Sequence, residues 1–275
     1  MKNNHLHHID FNQLLKLCIQ AAFDAGNEIL HFYNTVFKIE IKSDNSPLTN
    51  ADKAAHKVIA KALETTNIPV LSEEGKSIPY ETRKNWEYMW IVDPLDGTKE
   101  FIKHNDEFTV NIALIHNGHP ILGVVYCPPF RTLYFGADDG KGAFKATIEN
   151  YDSIDVEKEM AGSIKLPLIN TDRKFTVVAS RSHMSPETAD FIEELKSQHG
   201  DIELISKGSS LKLCEVAEGS ADVYPRFAPT SEWDTAAAHA LVICSGGEVY
   251  QANTNTPLQY NKEDILNPWF VVKRD

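Results

Sequence analysis

The string Trp90-Ile91-Val92-Asp93-Pro94-Leu95-Asp96-Gly97-Thr98 sets an apolar run of strand length before two carboxylates three residues apart. Pro94 fixes the backbone between them and Gly97 permits a tight turn. Thr98 opens a short helix whose first N–H groups have no intrahelical partner. Such a turn can aim two carboxylates and a backbone carbonyl at hard cations while its amide hydrogens face a phosphate oxygen. Two other segments carry acids in similar settings. Leu71-Ser72-Glu73-Glu74-Gly75 places them after a short apolar run, and Trp233-Asp234-Thr235-Ala236 places one at the start of a small-residue helix. Alone, Glu73-Glu74 reads as a solvated loop and Asp234 as a helix cap. Together with Asp93 and Asp96 they give four acids from three chain regions, which is what a two-metal site requires. A covalent aspartyl-phosphate is the weaker reading, because the aspartates of that chemistry stand two apart near a chain start.

The elements around these residues read as a scaffold of helices and sheet. Leu14, Leu15, Cys18, Ile19, Ala22, Ala25, Ile29 and Leu30 recur at helical steps between Asp10 and Tyr33, with Asp10 and Gln13 as a cap. Phe37, Ile39 and Ile41 alternate with charged residues as a half-exposed strand, Ser46-Pro47 breaks the chain, and a second amphipathic helix starts near Asn50. Strands follow at Pro69–Leu71, Trp90–Val92, Phe108–Ile115, Ile121–Tyr126 and Thr132–Phe135, so the first part is two helices followed by a largely antiparallel sheet. The polar stretch Thr147–Gly162 is the expected boundary. Beyond it strand and helix alternate: Val177–Ala179, a helix opened by Ser185-Pro186, Ile202–Ile205, Ser209–Ala217, Val223-Tyr224, Thr235–Cys244 and Glu248–Tyr250. That rhythm is α/β. The expected units are 1–155 (α+β) and 156–275 (α/β, carrying Asp234).

Composition narrows the class. The 275 residues hold 27 Lys+Arg against 39 Asp+Glu, a formal net charge of −12. That balance argues against a protein that wraps a nucleic-acid polymer, though bound cations can reverse the field locally for a small anionic substrate. No apolar run approaches the ~18–20 residues of a membrane helix, and the start Met1-Lys2-Asn3-Asn4-His5 lacks the features of a secretory signal. His5, His7 and His8 read as a frayed end. Cys18, Cys127, Cys214 and Cys244 form no Cys-x-x-Cys pair and lie in apolar stretches, as buried free thiols of a cytoplasmic protein would.

The segments resemble the lithium-sensitive, magnesium-dependent phosphatase superfamily of inositol monophosphatase, fructose-1,6-bisphosphatase and the 3′(2′),5′-bisphosphate nucleotidases. The longer strings Asp44–Asp52, Val70–Glu74, Val92–Ile102, Gly208-Ser209-Ser210-Leu211-Lys212 and Tyr224-Pro225-Arg226-Phe227 are most similar to the bacterial nucleotidases of the CysQ type. The resemblance implies an αβαβα layered sandwich with its site in a cleft between the two units. It also implies that Glu73, Asp93, the Leu95 carbonyl, Asp96 and Asp234 hold two or three Mg²⁺, and that Gly97 and Thr98 offer N–H groups to the phosphate. Thr98, bonded to Asp52 and helped by Glu73, would orient a metal-bound water for in-line attack.

His183, Ser209, Lys212 and Arg226 read individually as a loop histidine, an N-cap serine and solvated cations, with Ser209 and Lys212 sharing one helical face. The resemblance implies instead that they hold the nucleotide and its 5′-phosphate. The implied reaction is hydrolysis of adenosine 3′,5′-bisphosphate to AMP, with 3′-phosphoadenylyl sulfate as a further substrate. The rivals are an inositol monophosphatase, with no need of Lys212 and Arg226 at a second phosphate, and a metal- and phosphate-binding protein without turnover. Monomer and homodimer both remain open, as does peripheral contact with the cytoplasmic face of the inner membrane.

Overall fold

The computed structural model describes residues 10–35, 39–41, 47–168, 172–179, 185–254 and 256–274. The Asp10 carboxylate accepts from the Gln13 N–H at 3.1 Å and starts α1 (Phe11–Tyr33), the helix expected from the apolar spacing. β1 (Ile39–Ile41) pairs antiparallel with β2 (Pro47–Thr49), which leads into α2 (Asn50–Glu64). Phe37 and Ser46 fall outside the described residues.

A seven-stranded sheet follows, built from β3 (Val70–Ser72), β4 (Tyr88–Asp96), β5 (Thr109–His116), β6 (His119–Cys127), β7 (Thr132–Ala137), β8 (Gly142–Thr147) and β9 (Ile164–Lys165) in spatial order. Only the β3–β4 pair is parallel. The short helices α3 (Tyr80–Arg83), α4 (Thr98–Ile102) and α5 (Val156–Ala161) lie in its connections. The remaining elements are β10 (Thr176–Ala179), α6 (Pro186–His199), β11 (Glu203–Ser206), α7 (Leu211–Glu218), β12 (Val223–Arg226), α8 (Glu232–Cys244), β13 (Glu248–Gln251) and β14 (Phe270–Lys273). Their five strands form a second sheet in the order β11-β10-β12-β14-β13, parallel from β11 to β12 and antiparallel beyond.

Burial alternates with the strand period and sorts the elements into five layers. Trp90 and Val92 of β4 face Ile19, Ala22, Ile59 and Leu63 of α1 and α2, while Met89 and Ile91 face the opposite way. On that second side they join Cys214 and Val216 of α7, Ala237 and Leu241 of α8, and Tyr224, Phe270 and Val272 of the second sheet. The outer face of the second sheet, with Val177, Val223 and Val271, is covered by Ile192 and Leu195 of α6. The result is the αβαβα sandwich. Cys18, Cys127 and Cys214 are buried free thiols as expected, and Cys244 is half-buried.

The seven-stranded sheet is thus covered on two faces, which is why its strands β4 to β6 read as nearly continuous apolar runs. α8 can enter the middle layer because it is lined by alanines and meets a glycine. A Cβ on Gly123 of β6 would stand 2.1 Å from the Ala237 carbonyl oxygen. We expect Gly123→Ala to push the helix off the sheet and cost about 3 kcal/mol or more, at the upper end of overpacking penalties. Urea denaturation measures this directly, and an unchanged midpoint would contradict so close an approach.

Candidate metal centre and active site

β4 does not end at Asp93, as the apolar pattern suggested, but runs on through Asp96. Asp93 lies opposite Asn111 and Asp96 opposite Thr109, so three steps on β4 match two on β5. The extra residue is a β-bulge. Pro94 is tolerated there because a bulge interrupts the ladder its missing N–H would have broken. In a regular strand, residues three apart point to opposite faces; the extra residue returns both carboxylates to one side. Asp93, Asp96 and Asp234 each bring a carboxylate oxygen to within 4.8 Å of the others.

Asp234 arrives from a helix start. It is the third residue of α8 and its Oδ2 accepts from the Ser231 N–H at 2.9 Å, closing a capping box. That start is tied down from the other side. The buried Glu232 carboxylate accepts from the N–H groups of Asn261 and Lys262 and from Lys262 Nζ at 2.6–2.9 Å, and Asn267 donates to the Ser231 carbonyl at 2.8 Å. Asp52 repeats the device at the third residue of α2: its Oδ2 accepts from the Thr49 N–H at 2.7 Å, while its Oδ1 accepts from Thr98 Oγ1 at 3.3 Å. Thr98 Oγ1 also lies 3.3 Å from the Leu95 carbonyl. Gly97 has φ +91°, and a Cβ there would lie 3.0 Å from the Glu107 carbonyl oxygen, so this turn needs glycine for conformation and for space.

Glu73 follows β3, its N–H donating to the Val92 carbonyl at 3.1 Å and its carboxyl hydrogen-bonding Asp93. His56 of α2 braces this corner, with Nδ1 2.9 Å from Ser72 Oγ. Burial first, and then the charges of Glu73, Asp96 and Asp234, hold the Asp93 carboxyl well above the usual carboxylate range. Burial, reinforced by Asp96, pushes Asp234 up to about 8. Clustered carboxylates in a low-dielectric site relieve their repulsion by taking up protons or cations. The donors are all oxygens, which fits a hard divalent cation rather than zinc or copper.

The residues expected to meet substrate sit on the side towards the second sheet. Lys212 lies in α7 with its amine buried, donating to the Ser209 carbonyl at 2.7 Å. Burial above all brings its pKa down to about 8, opposed by the Asp96 charge and assisted by that of Arg226. Arg226 ends β12 and donates to the Pro229 carbonyl at 3.0 Å, while its buried Nε lacks a protein partner. Ser209 does not share a helical face with Lys212. α7 begins only at Leu211, and Ser209 stands before it with φ +53°, held by hydrogen bonds to Thr109 and Asp96. His183 lies outside the described residues. Ser210, Thr109, Asn111, Ser72 and His56 were given no role by sequence reasoning; the Gly-Ser-Ser string contains the first and the Val70–Glu74 string contains Ser72, and nothing marks the others.

The model of the inositol monophosphatase family matches residues 10–271. The chain belongs to the inositol monophosphatase family. Members are metal-dependent phosphatases, and the acidic cluster could hold the metal. The chain is 44% identical over 263 residues to the 3′(2′),5′-bisphosphate nucleotidase CysQ of Salmonella typhimurium, covering 94% of this chain and 99% of that protein. The Escherichia coli K12 protein of the same name is 44% identical over 264 residues, with the same coverage. The crystal structure of CysQ from Bacteroides thetaiotaomicron superposes with a TM-score of 0.88 at 50% identity, covering 98% of this chain and 100% of that one. An inositol monophosphatase from Anabaena has the same fold, with a TM-score of 0.69 at 24% identity. Among the described residues no helix is long and apolar enough to cross a membrane.

The raised carboxyls make metal dependence visible as stability. Asp234 has a higher pKa folded than the ordinary 3.8, so its contribution is fully present below that value and is lost as pH rises through about 8. The chelator-treated protein should therefore lose melting temperature between pH 5 and pH 8. Added divalent cation should restore more at pH 8 than at pH 5, because the ionised carboxylates then have a counter-charge. Equal metal-induced shifts at both pH values, read by scanning calorimetry, would refute the raised ionisation of this cluster.

Proposed function

We propose that the protein is a Mg²⁺-dependent phosphatase that hydrolyses the 3′-phosphate of adenosine 3′,5′-bisphosphate to give AMP and inorganic phosphate. 3′-Phosphoadenylyl sulfate is a second substrate of the same kind. The observation that carries the reading is the buried Lys212 amine close to Asp96, beside Arg226, in a chain similar over nearly its whole length to proteins named 3′(2′),5′-bisphosphate nucleotidases. A monoester carries one anionic group, which the metal cluster serves. Two further cations across the site suit a substrate with a second.

Glu73, Asp93, Asp96, Asp234 and the Leu95 carbonyl would hold two or three Mg²⁺. When bound, the ions supply Lewis-acid stabilisation of charge on the phosphate and lower the pKa of the attacking water. Gly97 and Thr98 turn backbone N–H groups towards the phosphate oxygens. The Thr98 hydroxyl, donating to Asp52, presents an acceptor oxygen to the water, and Glu73 takes part in orienting it. Water oxygen bonds to phosphorus, the bond from phosphorus to O3′ breaks in line, and the proton that the water gives up balances the one that O3′ takes up. Lys212 and Arg226 engage the 5′-phosphate; Ser209, whose hydroxyl proton goes to Asp96, meets the nucleotide through its remaining acceptor capacity and its backbone, with His183 joining it.

Phosphate release from adenosine 3′,5′-bisphosphate, inositol 1-phosphate, fructose 1,6-bisphosphate and AMP in Mg²⁺ tests the assignment. The first should be hydrolysed most efficiently, and a preference for inositol 1-phosphate would overturn it. Asp96→Asn should abolish turnover of every substrate while the fold persists. Lys212→Ala should lower kcat/KM for the bisphosphate roughly 10- to 150-fold, the equivalent of about 1.5–3 kcal/mol for a charge-assisted hydrogen bond. The rate on 3′-AMP, which lacks the 5′-phosphate, should change little. An equal fall on both substrates would place Lys212 in support of the metal centre instead.

A further inference from the structure

One oxygen of Asp96 is surrounded by donors. Its Oδ2 lies 2.7 Å from Ser209 Oγ, 2.9 Å from Ser210 Oγ and 3.5 Å from Asn111 Nδ2. The two serines are themselves directed from β5. Thr109 Oγ1 lies 2.5 Å from Ser209 Oγ, and Asn111 Nδ2 donates to Ser210 Oγ at 2.8 Å. Thr109 and Asn111 are two apart on the strand and therefore share a face. Both are buried, as is Ser210.

The proton directions follow from the acceptors. A carboxylate only accepts, so Ser209 donates to Asp96 and must take its own hydrogen bond from Thr109. Ser210 accepts from Asn111, and its single proton is shared between Asp96 Oδ2 and the Asp234 carbonyl, each 2.9 Å away. An ionised carboxylate has about four acceptor sites, two on each oxygen. The hydroxyls therefore engage those of Oδ2 and leave Oδ1 as the oxygen free to meet a cation.

We propose that Thr109, Asn111 and Ser210, acting with Ser209, are positioning residues that restrict Asp96 to one-oxygen coordination and thereby bias the cluster towards Mg²⁺ over Ca²⁺. The inference rests on the metal reading above. Mg²⁺ takes six oxygens in near-ideal octahedral geometry, which single oxygens from separate carboxylates satisfy. Ca²⁺ takes six to eight and readily uses both oxygens of a carboxylate. Filling Oδ2 with hydroxyl donors withholds the second oxygen from the larger ion.

The test is metal binding to the full chain, stripped of metal and titrated with Mg²⁺ and with Ca²⁺ by isothermal calorimetry. Thr109→Val keeps the shape and removes the hydroxyl that directs Ser209; Ser210→Ala removes the other clamp without touching β5. Each should raise the affinity for Ca²⁺ relative to Mg²⁺ by about tenfold, the lower end of effects seen when the partners of metal ligands are altered. Thr109→Ser, which restores a hydroxyl at that position, should keep the wild-type ratio. Equal weakening of both ions, an unchanged ratio in folded Ser210→Ala, or identical behaviour of Thr109→Ser and Thr109→Val would overturn the proposal while leaving the metal reading intact. A wild-type protein that binds neither ion, or binds both undiminished after Asp93→Asn, would remove the metal reading itself.

Discussion

Mutual repulsion among closely gathered carboxylates, one of them fully buried, is the constraint to which the rest of this structure answers. Asp93 is almost fully enclosed, and Asp96, Asp234 and Glu73 press their charges on it. Placing such groups in low dielectric is costly unless each is hydrogen-bonded and the set has a counter-charge. The Asp93 Oδ1 accepts from the Leu95 N–H at 3.0 Å, Asp96 is met by serine hydroxyls, and Asp234 takes an N–H from Ser231. Thr109, Asn111 and Ser210 are buried polar residues that gather at Asp96, and the remaining deficit of positive charge is what a divalent cation would fill.

The fold meets the constraint largely with ordinary secondary-structure hardware. Asp52 and Asp234 hold equivalent positions in two capping boxes, one opening α2 and the other α8. In each, a single carboxylate oxygen serves the helix and the rest of the group turns towards the site. A helix N-terminus also carries partial positive charge, which favours an anion there. α2 covers one face of the seven-stranded sheet and α8 the other, so the acids approach the end of β4 from both sides. Close seating of α8 over Gly123 then fixes how far Asp234 reaches towards Asp93.

Much of this was legible in the sequence, and what was not has a physical reason. The Asp10 cap, the start of α2 at Asn50 and the strands of β4 to β7 follow from periodicity and turn residues, which are local signals. The four acids of the cluster could be picked out because each follows an apolar run or opens a helix. The bulge at Pro94 could not, since it exists only as a mismatch with β5. β8 has small and charged residues in place of an apolar alternation, α5 buries none of its residues, and β14 is defined by its neighbours β12 and β13. Thr109, Asn111 and Ser210 look like ordinary polar residues of a strand and a turn; only their convergence on one oxygen of Asp96 distinguishes them.

Ser209 is the instructive exception, because its spacing from Lys212 suggested a shared helical face and the backbone denies it. The left-handed residue lets the chain reverse into α7 so that its side chain and carbonyl point to different chemistry. The hydroxyl meets Asp96 and the carbonyl receives the Lys212 amine. Gly208 makes that approach possible, since a Cβ there would lie 2.9 Å from both the Cβ and the carbonyl oxygen of Glu107. Five consecutive residues, Gly208 to Lys212, thus tie the acidic cluster to a buried cation through short covalent and hydrogen-bonded links. This turn therefore helps to set the distance between the acidic cluster and the Lys212 amine.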